Sequence, residues 1–348
     1  MPTEEAVRTE VSTEGPTQVI TSVLRTGVIV GGVMALVGSA VLALLRSTDP
    51  GTTRLAELAA FAPVGLPLAL VGVIAVALAL RPSFGRAGLA IVVAGALLTC
   101  LHGWWLAPLY VASSPSGTGP AMVVMAQNLE YGDVSHVQEV AGRLDVDVLC
   151  LSDIGPDQLA SIRATPALAR AYPYSAGVTE EGTGGTIVMS RYPLSTTWSS
   201  TSGRSLTVKV SGPTGPTSVV AVHPYPVYET QAWHDDYAEI GTYLRRTFGT
   251  NPRSPVVIAG DFNASSDNTP FRRIVGIGYR DGAADTNAWY QPTWPAGSKR
   301  RTFGIPVPPL VTLDHVLASR ALAITNLHTV RVSGADHRAV VATVRRAA

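Results

Sequence analysis

The chain has 348 residues, enough for one large domain or two ordinary ones, and a formal net charge of +1 that singles out no partner. Its two cysteines stand in no metal-type spacing, which excludes a disulfide-stapled or zinc-bound framework. From residue 121 onward 20 Lys and Arg face 19 Asp and Glu, so the basic excess of a protein held to nucleic acid by phosphate contacts is missing.

In chain order, residues 1–23 are rich in Glu, Thr and Pro and read as a disordered acidic tail, a poor start for a signal peptide. Three uncharged apolar runs follow: Gly27–Leu45, Ala62–Leu80 and Gly88–Leu106. Each approaches the roughly 20 residues that a membrane-spanning helix needs. Arg25, Arg46, Arg81 and Arg86 bracket them, and Trp104, Trp105 and Tyr110 close the third as aromatic residues do at a membrane interface. Pro108 discourages further helix. His102, near the end of that run, reads as a helix-packing or interface residue.

With the N-terminus inside, the inner segments carry Arg8, Arg25, Arg81 and Arg86, and the outer loop carries Arg46 and Arg54. The expectation is a three-helix membrane domain over 24–111 with everything after it outside the cytoplasm. Ala112–Pro120, rich in Ser, Gly and Pro, reads as a short flexible tether.

From residue 121 strands alternate with helices. Strands are expected over Ala121–Ala126, Asp147–Leu151, Thr186–Met189, Leu206–Val210, Ser218–Val222, Val256–Ala259, Val311–Leu317 and Ala339–Val344. Helices are expected over Val134–Leu144 and Glu229–Phe248, where Val137, Val140 and Ala141, then Ile240, Tyr243 and Leu244, share one face. Many strands with few long helices predict an α/β sandwich.

Polar residues gather where these strands end. Gly260-Asp261-Phe262-Asn263 follows one apolar run, Asp314-His315 follows another, and Asp336-His337 precedes a third. Carboxylates, an amide and an imidazole held at strand ends suit metal-assisted attack on a phosphate ester. Adjacent strand residues face opposite ways, so His315 turns away from Asp314 and reads as structural. His136, His234 and His328 lack such context.

Seven stretches, in this order, resemble the endonuclease/exonuclease/phosphatase superfamily, which includes DNase I-like nucleases, inositol-phosphate phosphatases and sphingomyelinases. They are Gln127-Asn128-Leu129, Asp147-Val148-Leu149 leading to Ser152-Asp153-Ile154, Gly185 through Pro193, Val222-His223-Pro224, Gly260 through Ala264, Leu313-Asp314-His315-Val316, and Ala335 through Arg338. The resemblance covers about residues 120–346 and implies a four-layer α/β/β/α, DNase I-like catalytic domain over 121–348, behind three transmembrane helices. The apolar runs make the chain most similar to the membrane-anchored bacterial branch that includes the VanJ-like teicoplanin-resistance proteins, which implies a link to antibiotic resistance.

The resemblance also implies roles. Asn128, Asp153 and Asp336 would hold Mg²⁺, or Mn²⁺, with Asp153 standing where the family carries Glu, one methylene longer. Asp261 would orient or deprotonate water, and Asn263 would steady the phosphate. Asp314 would fix the tautomer of His337, whose charge would stabilise the phosphoryl oxygens. His223 would stand near the phosphate and assist the leaving group. Arg204, Lys299 and Arg300, with Arg272, Arg273 and Arg301, offer charge for a second phosphate or form a solvated face. The Pro-rich loop Phe303–Val311, near Trp289 and Trp294, either meets the outer leaflet and a lipid tail or packs on the core.

The expected protein is a membrane-anchored, metal-dependent phosphoesterase. Its partners are the lipid bilayer and a phosphorylated, lipid-linked substrate, with no nucleic acid expected. A tethered nuclease and a non-catalytic phosphate-binding module are the alternatives. Oligomeric state is not written in the sequence.

Overall fold

A computed structural model describes residues 16–81, 85–111, 115–249, 253–297, 301–302 and 305–348. Five helices come first: α1 (Pro16–Ser47), α2 (Thr53–Ala59), α3 (Gly65–Leu80), α4 (Arg86–Leu106) and α5 (Pro108–Val111). Three helical segments, Ile20–Ser47, Ala62–Leu80 and Arg86–Leu106, are long and apolar enough to cross a membrane. Small residues let α1 and α3 approach: a Cβ on Gly72 would meet the Leu36 side chain at 2.7 Å. Helix already begins at Pro16, inside the stretch expected to be disordered, while residues 1–15 lie outside the described residues.

The chain forms two units. One takes the described residues up to Val41 together with Val64–Leu101; the other joins Leu42–Pro63 to His102–Ala348. The segment between the first two apolar helices, expected within the membrane domain over 24–111, thus packs in the unit that holds the strands. The expected tether is also shorter than its composition suggests. Strand begins at Gly117, which pairs with Ala347, and Pro108 opens the short α5 rather than ending helical structure.

The remaining elements are β1 (Gly117–Asn128), α6 (Val134–Arg143), β2 (Val148–Ser152), α7 (Pro156–Ala164), α8 (Pro166–Ala171), β3 (Tyr174–Val178), β4 (Thr186–Ser190), β5 (Leu194–Ser199), β6 (Leu206–Gly212) and β7 (Gly215–Val222). They continue with α9 (Thr230–Thr247), β8 (Val256–Asp261), α10 (Thr269–Val275), β9 (Arg280–Asp281), α11 (Gly282–Asp285), β10 (Arg301–Thr302), β11 (Ile305–Pro306), β12 (Asp314–Ala318), β13 (Leu322–Arg331) and β14 (Arg338–Ala347). One six-stranded sheet runs β13-β14-β1-β2-β4-β3 and the other β5-β6-β7-β8-β12-β9, while β10 and β11 form a separate hairpin.

Alternation along the strands builds the layers. Val124 and Ala126 of β1, with Val257 and Ala259 of β8, enter the core between the sheets. Met125 turns to the opposite face of the first sheet, against Val137, Val140 and Ala141 of α6 and Leu159 and Ile162 of α7. Val256 and Ile258 turn to the outer face of the second sheet, against Trp233, Tyr237 and Ile240 of α9 and Phe271 of α10. Burial on both faces explains why the central strands read as continuous apolar runs. Helix α6 starts where it does because the Asp133 carboxylate accepts from the Ser135 N–H at 2.8 Å. The result is the four-layer α/β/β/α arrangement.

The strand directions decide where the chemistry sits. Strands β1 and β2 are parallel, as are β7 and β8, and β12 and β14 run antiparallel to β8 and β1. The ends of β1, β2, β7 and β8 thus meet the starts of β12 and β14. Asp261 and Asp314 are direct partners in register. At Gly260 the backbone has φ +150°, and a Cβ would come within 2.0 Å of the Val222 carbonyl oxygen, so the strand before Asp261 requires glycine.

Candidate active site

The strand ends open into a cavity of about 450 Å³, lined by Asn128, Asp153, Arg204, His223, Asp261, Asn263, Asp336 and His337 on its polar side. Two of these residues carry left-handed backbone at non-glycine positions: Asp153 with φ 48° and Asn263 with φ 47°. Such conformations re-aim a side chain at the end of a strand and cluster at functional sites.

The hydrogen bonds form one connected row. Asp314 Oδ2 lies 2.8 Å from His337 Nδ1, and His337 Nε2 lies 3.8 Å from Asp261 Oδ2. The Asn128 amide nitrogen donates to Asp153 Oδ2 at 2.7 Å and to Asp261 Oδ2 at 3.0 Å. Its oxygen accepts from the Glu130 N–H at 2.8 Å. The opposite orientation would set an oxygen against two carboxylates and an NH₂ against an N–H, so the network fixes this one. Asn128 therefore turns nitrogen, not the expected oxygen, towards the acids. Asp261 Oδ1 accepts from the Asn263 N–H at 2.7 Å, and the Asn263 side chain donates to the Pro224 carbonyl at 3.0 Å.

Arg204 lies on the other side of Asp153. Its guanidinium donates to the His223 and Thr183 carbonyls, both at 3.1 Å, and stacks 4.7 Å from the Tyr225 ring. His223 Nε2 stands 3.6 Å from Asp153 Oδ1. Burial first, and Arg204 second, push the His223 pKa down to about 3, so the ring is neutral and unsuited to protonate a leaving group. His337 moves the other way. Burial alone would lower its pKa, but Asp314, then Asp261, raise it to about 10, so it carries a proton at neutral pH. Burial raises Asp153, Asp261 and Asp336 above the usual carboxylate range.

The Endonuclease/Exonuclease/phosphatase family profile matches residues 125–337. The chain belongs to the Endonuclease/Exonuclease/phosphatase family. Among solved structures, an endonuclease/exonuclease/phosphatase family protein from Bacteroides thetaiotaomicron is 13% identical with a TM-score of 0.50, covering 65% of this chain and 98% of that one. One from Bacteroides vulgatus is 13% identical with a TM-score of 0.51, covering 65% and 99%. Truncated Caenorhabditis elegans TDP2 is 16% identical with a TM-score of 0.51, covering 65% and 98%. At these identities the likeness is one of fold. No curated protein sequence matches the chain.

Members of the family are hydrolases acting on phosphate esters and generally depend on a divalent metal. The residues present fit such an ion. Asp153, Asp261, Asp314 and Asp336 are buried together, and among the described residues Arg204 and protonated His337 are the cations beside them. Asp153 Oδ1, Asp314 Oδ1 and Asp336 Oδ1 are buried and accept no hydrogen bond from the described residues. Orphaned carboxylate oxygens of this kind suit a hard cation. Ligand atoms of Asp261, Asp314 and His337 also lie within 4.8 Å of one another. There, however, the imidazole keeps its proton and bonds Asp314, as in an acid–histidine pair.

Arg272 and Arg273 do not line this cavity. Arg272 bonds Thr269 at 2.7 Å and the carbonyls of Asp267 and Arg46, and Arg273 pairs with Asp49 at 2.8 Å. Lys299 and Arg300 lie outside the described residues, as do Phe303 and Gly304 of the Pro-rich loop and the side chain of Arg301. His315 is buried between Phe262 and Phe271 and bonds the Ala264 carbonyl at 3.2 Å, a packing role. Sequence reasoning missed Glu57, Ala60, Phe61, Val227 and Tyr228, all of which line the cavity. Glu57 is one charge in the short helix α2, and the others are apolar or aromatic residues in short connections, which no motif marks.

Proposed function

We propose that the protein is a membrane-anchored, Mg²⁺-dependent phosphoesterase that hydrolyses a lipid-linked phosphate or pyrophosphate at the outer face of the cell membrane. The observation that carries this reading is the buried acid cluster with its three orphaned carboxylate oxygens, beside a cavity that apolar side chains also line. Asp153 and Asp336 would hold the cation, and Asn128 sets Asp153 and Asp261 relative to each other. The cation supplies Lewis-acid neutralisation of the phosphoryl oxygens when bound.

The chain's own residues do the rest. Asp261 is kept in place by Asn128 and the Asn263 N–H and accepts the proton of the attacking water. His337 is charged and oriented through Nδ1 by Asp314, so its Nε2–H faces the cavity and donates to a phosphoryl oxygen as negative charge builds. Asn263 borders the same oxygens. Arg204, stacked on Tyr225, places a fixed positive charge beside Asp153 and supports a phosphate without titrating.

The apolar helices and the absence of a basic excess support a lipid-linked substrate and argue against nucleic acid. The location would resemble that of the VanJ-like branch. The test is a hydrolysis screen of the full-length protein with Mg²⁺ against a polyprenyl diphosphate, a phospholipid, an inositol phosphate and DNA, with Asp261→Asn as control. Cleavage of the polyprenyl diphosphate supports the reading, and cleavage of DNA alone replaces it with the tethered nuclease. The topology would be lost if a reporter fused after Ala348 proved cytoplasmic.

A further inference from the structure

The segment that links the first two apolar helices is part of the active-site wall. Glu57, Ala60 and Phe61 line the same cavity as Asp261 and His337. The segment is held there by specific bonds to the loop that follows the catalytic turn. Asn268, buried, donates to the Ala56 carbonyl at 2.9 Å, and Asp267, buried, pairs with Arg46 at 2.6 Å. Ala56 packs in the apolar cluster of Phe262, Phe271 and α9. Thr53 and Thr230 share a 2.8 Å hydrogen bond, and Asp49 pairs with Arg273 at 2.8 Å. These ties fix a stretch that would otherwise be a loose connection between two helices.

Beyond Glu57, the segment contributes apolar side chains to the cavity. Ala60 and Phe61 line the cavity together with Val227, Trp294, Val311 and Leu313, and the Trp294 Nε1–H donates to Asp336 Oδ2 at 3.4 Å. Phe61 also stands one residue before the second candidate span, Ala62–Leu80. A phosphate held at the acids would thus have apolar side chains available to its attached group in the same cavity.

We infer that Ala60 and Phe61, with Trp294 and Val311, form a subsite for the first carbons of the apolar chain attached to the substrate's phosphate. The inference rests on the proposed function for the phosphate it places at the acids, and adds the specificity-determining residues. Each methylene buried there tightens binding about fourfold.

The experiment uses the full-length protein in nanodiscs with Mg²⁺ and the non-hydrolysable series methyl-, butyl- and hexylphosphonate, with binding measured by calorimetry. The wild type should bind more tightly as the chain lengthens. Phe61→Ala should flatten that rise, and Ala60→Trp, which fills the wall, should reverse it. Both variants should change methylphosphonate affinity far less than hexylphosphonate affinity, with Phe61→Ala folded by circular dichroism. A wild-type affinity independent of chain length, or variants that weaken all three ligands equally, would overturn the subsite. If chain length matters but no ester is hydrolysed, the catalytic reading fails and the subsite stands. If no phosphonate binds, both are overturned.

Discussion

One wall of the cavity comes from strand ends and is polar; the other comes from connecting segments and is apolar. The polar wall draws on β1, β2, β7, β8, β12 and β14, whose hydrogen-bonded registers fix the catalytic groups relative to one another. The apolar wall draws on Ala60, Phe61, Val227, Trp294 and Val311, and the first two follow a segment held by side-chain ties such as Asn268 to Ala56. On the proposed function, the difference teaches a division of labour: reacting groups would sit on the rigid scaffold, and selection of the attached group would fall to the connecting segments.

Asp261→Asn should break the polar wall most severely. It keeps an acceptor for Asn128 and the Asn263 N–H but removes the base, so kcat should fall on the order of 10³-fold or more with folding intact by circular dichroism. Asp314→Asn should cost about 10²-fold and move the pH profile. With His337 raised to about 10, activity that needs its proton persists to alkaline pH and is lost as pH rises through that value. Removing the Asp314 charge lowers the His337 pKa, so the alkaline limb of the rate profile should shift towards neutrality.

The apolar wall should respond more gently and more selectively. Phe61→Ala should lower kcat/KM for a long-chain phosphate ester about tenfold relative to a short-chain one, the worth of one to two buried methylenes. A third expectation concerns stability. The folded His223 pKa, about 3, lies below its ordinary 6.5, so its contribution is present above pH 6.5 and is lost as pH falls towards 3. Denaturation of the wild type should show a loss of roughly 1.4 kcal/mol per pH unit in that window from this group, and His223→Gln should reduce the slope. Asn268→Ala should have the smallest effect, about 1 kcal/mol of stability with a few-fold weaker long-chain binding.

The two walls were not equally legible in the sequence. Strands buried on both faces read clearly because they are continuous apolar runs ended by Asp, Asn or His, as at Val256–Asp261. Edge strands did not: β5 (Leu194–Ser199) is mostly exposed Ser and Thr, and the outer half of β13 alternates weakly. Asp261, Asp314 and His337 were visible because each sits beside such a run. The orientation of Asn128 was not, since it depends on the Glu130 N–H and on two carboxylates from distant strands. The neutrality of His223 likewise arises only when folding buries it beside Arg204. Composition misled at Gly117–Pro120, where the pairing of β1 with β14 overrides residues that favour a flexible tether. The assignment of Leu42–Pro63 to the catalytic unit has no local signature, because tertiary contacts more than two hundred residues apart create it.

The central claim is that the buried acids hold a cation and cleave a phosphate ester beside an apolar wall. It is tested most directly by hydrolysis of a polyprenyl diphosphate by the full-length protein, with and without Mg²⁺, for wild type and Asp261→Asn. The account predicts phosphate release by the wild type only when Mg²⁺ is supplied, and none above background by the variant. Equal release by the variant, or release undiminished by a chelator, would contradict it.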